Sequence, residues 1–210
     1  MDSNSTEMQR CVLASGNQGK LDELSGVLLA QNIELISQSE FNLTEAIEDG
    51  STFVENALIK AKHASEATGL SAMADDSGIV VPSLNGEPGI RSARYAMTDN
   101  TDKPTDQENI DKLLKVLEPM PDTARAAYFV CCLVFVRHAK DPVPVIASGI
   151  WHGRILHEAQ GEGGFGYDPV FYCPGVGMTA AAMGKAKKST VSHRAIALKE
   201  LKHKLSETTI

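Results

Sequence analysis

Eleven residues without a single charge, Ala126 to Val136, are rich in Val, Phe and Tyr and read as a long buried strand. Pro142 and Pro144 separate it from a second β segment, Val145 to Ile150, expected as its antiparallel neighbour. Near the start, the apolar run Cys11 to Ala14 leads through Ser15-Gly16-Asn17-Gln18-Gly19-Lys20 into Leu21, Leu24, Val27 and Leu28, spaced as one helix face. The chain closes with a helix expected from Ser192 to Leu205, with Leu198, Leu201 and Leu205 on its apolar face. Helices at both ends with paired strands between them define an α/β fold with a mixed sheet.

The interior of the chain fits the same scheme. Thr52 and Glu55 have capping-box spacing, which predicts a helix to Thr68 with Gly69 as its stop. Ala72 to Val81 reads as a strand region and Pro82 to Gly89 as turns. Thr105 to Leu117 forms a third amphipathic helix, ended by Pro119 and Pro121. A Gly-rich loop, Gly161 to Tyr167, precedes a short strand at Val170 to Tyr172. Residues 1–10 are expected as a disordered tail and 11–210 as a single domain, since no repeat or long linker interrupts them.

Composition narrows the function. At 210 residues, 42% hydrophobic and 22% charged, the chain has the make-up of a soluble globular protein. A net charge of −7 excludes a broad basic face, and with it a general nucleic-acid binder, but leaves room for a nucleotide site with a few local Lys and Arg. Cys11, Cys131, Cys132 and Cys173 form no C-x-x-C pair and read as core thiols in a reducing compartment. The first ten residues lack an apolar leader core, and no segment approaches the ~18 apolar residues of a membrane span. The expected location is the cytoplasm.

The strongest chemical signal is Ala74-Asp75-Asp76-Ser77-Gly78. Two adjacent carboxylates at the end of an apolar segment repel each other and cost free energy to bury, unless a cation compensates. A hard divalent ion is the natural compensator, and Mg2+ commonly meets one or two carboxylates together with substrate phosphates. A polar turn suits the same residues. On local grounds the two readings stand level.

Other constellations tilt the balance. Ser15 to Lys20 lies between a strand and a helix, where backbone N–H groups and the helix dipole favour an anion. It is not a Walker A loop, because Gly16 and Gly19 are too close and Leu21 stands at the Ser/Thr position. Asn56 and Lys60 share a helix face, and Glu48-Asp49-Gly50 forms a loop able to bring a carboxylate toward Asp75 and Asp76. In Gly161 to Pro169, aromatics interleave with glycines, and an aromatic on such a loop can stack on a base. Gly161, Gly163 and Gly166 approach dinucleotide-loop spacing, but no strand–loop–helix unit follows them. Lys187-Lys188-Ser189 and Ser192-His193-Arg194 cluster at the expected start of the last helix, offering donors to an anionic or carbonyl-bearing ligand.

These strings, in this order, resemble the inosine triphosphatase-type non-canonical purine NTP pyrophosphatases (XTP/dITP diphosphatases). The resemblance rests on Ala14 to Lys20, Thr52 to Ala57 with Lys60, Ala74 to Gly78, Pro88 to Tyr95, Gly163 to Pro169 and Ser192 to Ala195, and it spans the chain from Cys11 onward. It implies a homodimeric α/β protein with a long central sheet flanked by helices and two lobes with a nucleotide cleft between them. It further implies Mg2+-dependent hydrolysis of ITP, dITP and XTP to the monophosphate and pyrophosphate. Carried over by position, Ser15, Gly16, Asn17, Gln18, Gly19, Lys20 and Lys60 hold the triphosphate. Glu48 and Asp76 bind metal with Asp75 beside them, and Asp76 acts as general base. Ser77, Phe165, Gly166, Tyr167, Asp168, Lys188, His193 and Arg194 complete the substrate site. The sequence departs from the family pattern at Ala182, where Glu is usual, which bears on the order of the loop up to Lys188. Two competing readings are a related pyrophosphatase for other modified nucleotides and a non-catalytic purine-nucleotide sensor. The set Glu48, Asp75, Asp76, Lys20 and Lys60 argues against the sensor.

Overall fold

The computed structural model describes residues 8–16, 18–98 and 102–207. Among these residues, seven strands form one sheet in the order β2-β1-β3-β4-β5-β6-β7. They are β1 (Gln9–Leu13), β2 (Ile33–Ser37), β3 (Ser71–Val80), β4 (Ala126–Val136), β5 (Val145–Ile155), β6 (Phe171–Cys173) and β7 (Met178–Thr179). β1 pairs parallel with β2 and β3, whereas β5–β6 and β6–β7 are antiparallel. The sheet is therefore mixed, as the sequence predicts. Among the described residues, five α-helices accompany it: α1 (Gln18–Leu29), α2 (Phe53–Thr68), α3 (Asp106–Leu117), α4 (Gly184–Val191) and α5 (His193–Glu207).

The eleven-residue apolar run is β4, and the β segment after the prolines is its sheet neighbour β5, longer than expected because it continues to Ile155. β1 starts at Gln9, two residues before the apolar run, since backbone pairing with β2 needs no apolar side chain there. The remainder of the expected tail, 1–7, lies outside the described residues.

The chain divides into two compact units, one built from 1–76, 132–148 and 197–210 and the other from 77–131 and 149–196. In the first, Ala57, Ala61 and Ala64 of α2 share a core with Val12, Ala72, Ala74, Val134 and Val136 of the strands. Alanines at this spacing put a small-residue face on α2, which lets the helix approach the sheet closely. Thr52 caps α2, accepting from the Glu55 N–H, and Gly69 ends it with its N–H on the Ser65 carbonyl. The capping box is only half realised: the Glu55 carboxylate reaches back one residue further, to the Ser51 N–H. The Ser51 and Thr52 donors hold the Glu55 carboxyl below its ordinary range.

The second unit has an aromatic core. Phe129 of β4, Trp151 of β5 and Phe171 of β6 lie within one cluster, with ring centroids 4.6 Å apart for Phe129–Phe171 and 4.9 Å for Trp151–Phe171. Ile110, Leu113 and Leu117 of α3 close it. α3 starts with a complete capping box between Thr105 and Glu108. All four cysteines are free and buried, and burial pushes the Cys11 thiol up to about 12, so it remains inert. Among the described residues, no helix is long and apolar enough to cross a membrane.

Candidate active site

The acidic pair is not a turn. Asp75 and Asp76 sit inside β3, which runs on to Val80. Neighbours on a strand project to opposite faces, so each acid has its own environment and its own lysine. Asp75 is only 2% exposed, and its Oδ1 accepts from Lys20 Nζ at 2.7 Å. Lys20 stands in the first turn of α1, because the helix starts at Gln18, three residues earlier than the apolar spacing indicated. Lys20, expected in the stretch between strand and helix, is thus a helix side chain held on a buried carboxylate. Ser15 and Gly16 bridge β1 to α1. Asn17 and the side chain of Gln18 lie outside the described residues.

On the other face of β3, Lys60 Nζ lies 3.2 Å from Asp76 Oδ1 and 3.3 Å from Glu48 Oε2. The two carboxylate oxygens are therefore no further apart than the sum of those distances. Asn56, one turn before Lys60 on α2, donates from Nδ2 to Asp76 Oδ2 at 3.4 Å. Burial pushes the Asp76 carboxyl above its ordinary value, and the Glu48 charge adds to this while Lys60 opposes it. Burial works against the Lys60 ammonium, but the charges of Asp76, Asp75 and Glu48 outweigh it and raise its pKa overall. The structure thus brings Glu48 and Asp76 together around Lys60, while Asp75 pairs with Lys20.

In the second unit, the Gly-rich loop is organised by Asp168. Its Oδ2 accepts from the Phe165 N–H at 3.0 Å and pairs with Lys188 Nζ. The same ammonium lies 4.8 Å from the Phe165 ring centroid, a cation–π contact, and Phe165 remains 59% exposed. Gly166 donates its N–H to Asp106 at the start of α3, and the buried Tyr167 hydroxyl donates to the Ser92 carbonyl at 2.8 Å. Burial pushes the Tyr167 phenol well above its usual range, so it stays protonated as a donor.

Gly164 has φ +79°, and a Cβ there would meet Asp168 Oδ2 at 2.0 Å. Asp168 is buried and twice bonded, so it has little room to yield. Gly164→Ala is expected to cost about 1–3 kcal/mol, measured as a shift in denaturation midpoint at unchanged slope. A change below about 0.5 kcal/mol would show that Asp168 moves aside freely.

Lys188 and His193–Arg194 do not share a helix. Lys188 lies in the last turn of α4, and Ser192 (ψ 160°) separates it from α5. The Ser192 N–H bonds the Lys188 carbonyl, and its side chain accepts from the Ala195 N–H. The stretch after Ala182 is thus helical from Gly184, a helix that propensity did not reveal because Gly, Ser and Thr dilute its pattern. The His193 imidazole stacks on Phe129 at 4.8 Å and 16°, and both His193 and Arg194 are buried. Ser77 follows Asp76 on β3 and is half-buried.

The first unit thus holds two lysines on the carboxylates of one strand, and the second presents an aromatic ring on a glycine loop of an α/β protein. The chain belongs to the Ham1 family, which it matches over residues 11–204. A Vibrio parahaemolyticus protein named dITP/XTP pyrophosphatase is 50% identical over 202 residues, 96% of this chain and 99% of that one. A Yersinia pestis protein of the same name is 50% identical over 192 residues, 91% of this chain and 95% of its own. The solved structure of a HAM1 protein from Coxiella burnetii superposes with a TM-score of 0.89 at 45% identity, covering 96% of this chain and 100% of the other.

Proposed function

We propose that this protein is a Mg2+-dependent nucleoside triphosphate pyrophosphatase that hydrolyses ITP, dITP and XTP to the monophosphate and pyrophosphate. The observation that carries the reading is the Lys60 ammonium bridging Glu48 and Asp76, with Lys20 on the adjacent Asp75. The names of relatives half identical over nearly their whole length support the substrate class.

The donor set fits Mg2+. Glu48 and Asp76 offer hard carboxylate oxygens that both face the Lys60 ammonium, which supports their meeting on one cation. Among the described residues, no three His, Cys, Asp or Glu side chains gather into a dedicated metal cage. Two carboxylates completed by substrate phosphates are the usual arrangement for Mg2+. When bound, Mg2+ supplies charge screening on the phosphates and acidifies a coordinated water.

The chain's own groups then divide the work. Asp76 takes the proton of the water that attacks the α-phosphorus, and its raised pKa brings it closer to the working pH of a general base. Lys20, Lys60 and the start of α1 neutralise the triphosphate and the departing pyrophosphate. Phe165 offers its exposed ring for stacking on the base, and Asp168 and Lys188 hold that ring's loop in place. His193 and Arg194 supply donors that a 6-keto oxygen satisfies and a 6-amino group does not; donor facing donor leaves buried groups unpaired. A homodimer and a cytoplasmic setting complete the proposal, on the strength of the family match.

The test is pyrophosphate release from ITP, dITP, XTP, ATP and GTP, with and without Mg2+. ITP, dITP and XTP are expected to turn over with pyrophosphate as first product, and ATP at least about 100-fold slower in kcat/KM. Orthophosphate as the first product, or ATP as the best substrate, sinks the reading. Binding without turnover would make the protein a nucleotide sensor, and preference for a modified pyrimidine would move it to a different substrate class.

A further inference from the structure

We infer that Asn56 is a positioning residue that fixes the Glu48 loop onto Asp76; its role in turnover rests on the activity proposed above. Residues 43–50 have no regular secondary structure, yet they carry Glu48. Apolar burial does not hold the loop at this point, since Ile47, next to Glu48, is 82% exposed. Side chains of α2 tie the far end of the loop instead: Lys60 pairs with Glu48, Glu55 accepts from the Ser51 N–H, and Asn56 holds the backbone between them. Asn56 is 1% exposed, and its Oδ1 accepts from the Gly50 N–H at 2.9 Å while its Nδ2 donates to Asp76 Oδ2.

The partners dictate the orientation of the amide. A backbone N–H only donates and an ionised carboxylate only accepts, so Oδ1 must face Gly50 and Nδ2 must face Asp76. No other side chain of this size offers an acceptor and a donor in that fork without a charge. The fit is close: a Cβ on Gly50 would stand 2.7 Å from Asn56 Oδ1 and 2.7 Å from Glu55 Cβ. The loop therefore approaches α2 as closely as backbone allows. One amide thus ties the loop that carries Glu48 to the Asp76 carboxylate, beside the Lys60 ammonium that pairs with both acids, and it acts through Asp76.

The experiment compares the wild-type protein with Asn56→Ala, Asn56→Asp and Ser65→Ala. Ser65 is a control on the same helix, equally buried, with its hydroxyl on the Leu70 carbonyl at 2.7 Å. Three quantities are measured: amide hydrogen exchange at Gly50, kcat and KM for ITP at saturating Mg2+, and thermal midpoint. Asn56→Ala is expected to speed exchange at Gly50 by on the order of tenfold and to lower kcat by about 10–100-fold. Asn56→Asp retains an acceptor for Gly50 and sets a like charge against Asp76. It should keep Gly50 exchange near wild type while losing a comparable part of kcat. Ser65→Ala should lower the thermal midpoint and leave both Gly50 exchange and kcat unchanged.

Unchanged Gly50 exchange in Asn56→Ala, kcat within twofold of wild type, or an equal loss of kcat in Ser65→Ala would each overturn the inference. Should the wild-type protein release no pyrophosphate at all, the activity reading fails, while the exchange measurement still decides whether Asn56 holds the loop.

Discussion

Asp76→Asn is expected to abolish at least 99% of pyrophosphate release, a loss of about 100-fold or more, with the fold intact. Asn matches Asp in shape but takes no proton at neutral pH and contributes no charge to a metal. The substitution also has a predictable sign on stability. Burial is the largest influence on Asp76 and it penalises the ionised form. Replacing that carboxylate by a neutral amide removes the desolvation cost, and Lys60 keeps Glu48 as its partner. The thermal midpoint should therefore stay within a few degrees of wild type or rise. Steady-state turnover of ITP at saturating Mg2+, paired with a melting curve, checks both halves. Activity within a fewfold of wild type would show that Asp76 merely fills its place in β3.

Arg125→Met is expected to destabilise the protein by about 2–4 kcal/mol, the largest stability effect anticipated outside the active site. Arg125 is 2% exposed, and its guanidinium donates to the Leu117 carbonyl at 3.1 Å and the Leu156 carbonyl at 3.0 Å. Leu117 is the last residue of α3, so the cation caps the negative end of that helix. Leu156 follows β5, so the same side chain ties helix to strand. Methionine preserves much of the volume but donates nothing, leaving the buried Leu117 carbonyl and the partly buried Leu156 carbonyl without this partner. The loss of two charge-assisted bonds is set against relief from burying a cation whose Nε is itself without a hydrogen-bond partner among the described residues. The bonds win because the Leu117 carbonyl is buried and the Leu156 carbonyl partly so, which limits replacement by water. At this chain length the thermal midpoint should fall by roughly 5–15 °C. A drop below about 2 °C would show that α3 ends adequately without its cap.

The two substitutions fall on residues that differ in how visible they are in sequence. Asp76 stands in an acidic pair whose oddity is local, and the lysines at 20 and 60 belong to strings that carry the family resemblance. Arg125 is a lone basic residue before an apolar run, indistinguishable in sequence from a solvated one. The same contrast holds among the helices. α2 and α3 are legible because Thr caps and periodic apolar positions act within one or two turns. α4 is not, since its eight residues bury nothing fully and its stability comes from what surrounds it. The split between Lys188 and His193 was hidden for the same reason.

Short-range chemistry therefore determined the order of strands and helices, the long apolar β4, the caps, the acidic pair and the family strings. Each depends on residues a few positions apart, whose preferences survive in any context. Tertiary structure decided which lysine serves which acid, because the alternation of β3 sends Asp75 and Asp76 to opposite faces and only packing chooses the helix each one meets. It also decided that the pair lies in a strand and not a turn, that Asn56 spans from Gly50 to Asp76, and that Arg125 caps a helix eight residues upstream. These contacts join groups that a linear chain does not place side by side. Their free energy comes from burying polar atoms against specific partners, a term with no value until the fold has excluded water.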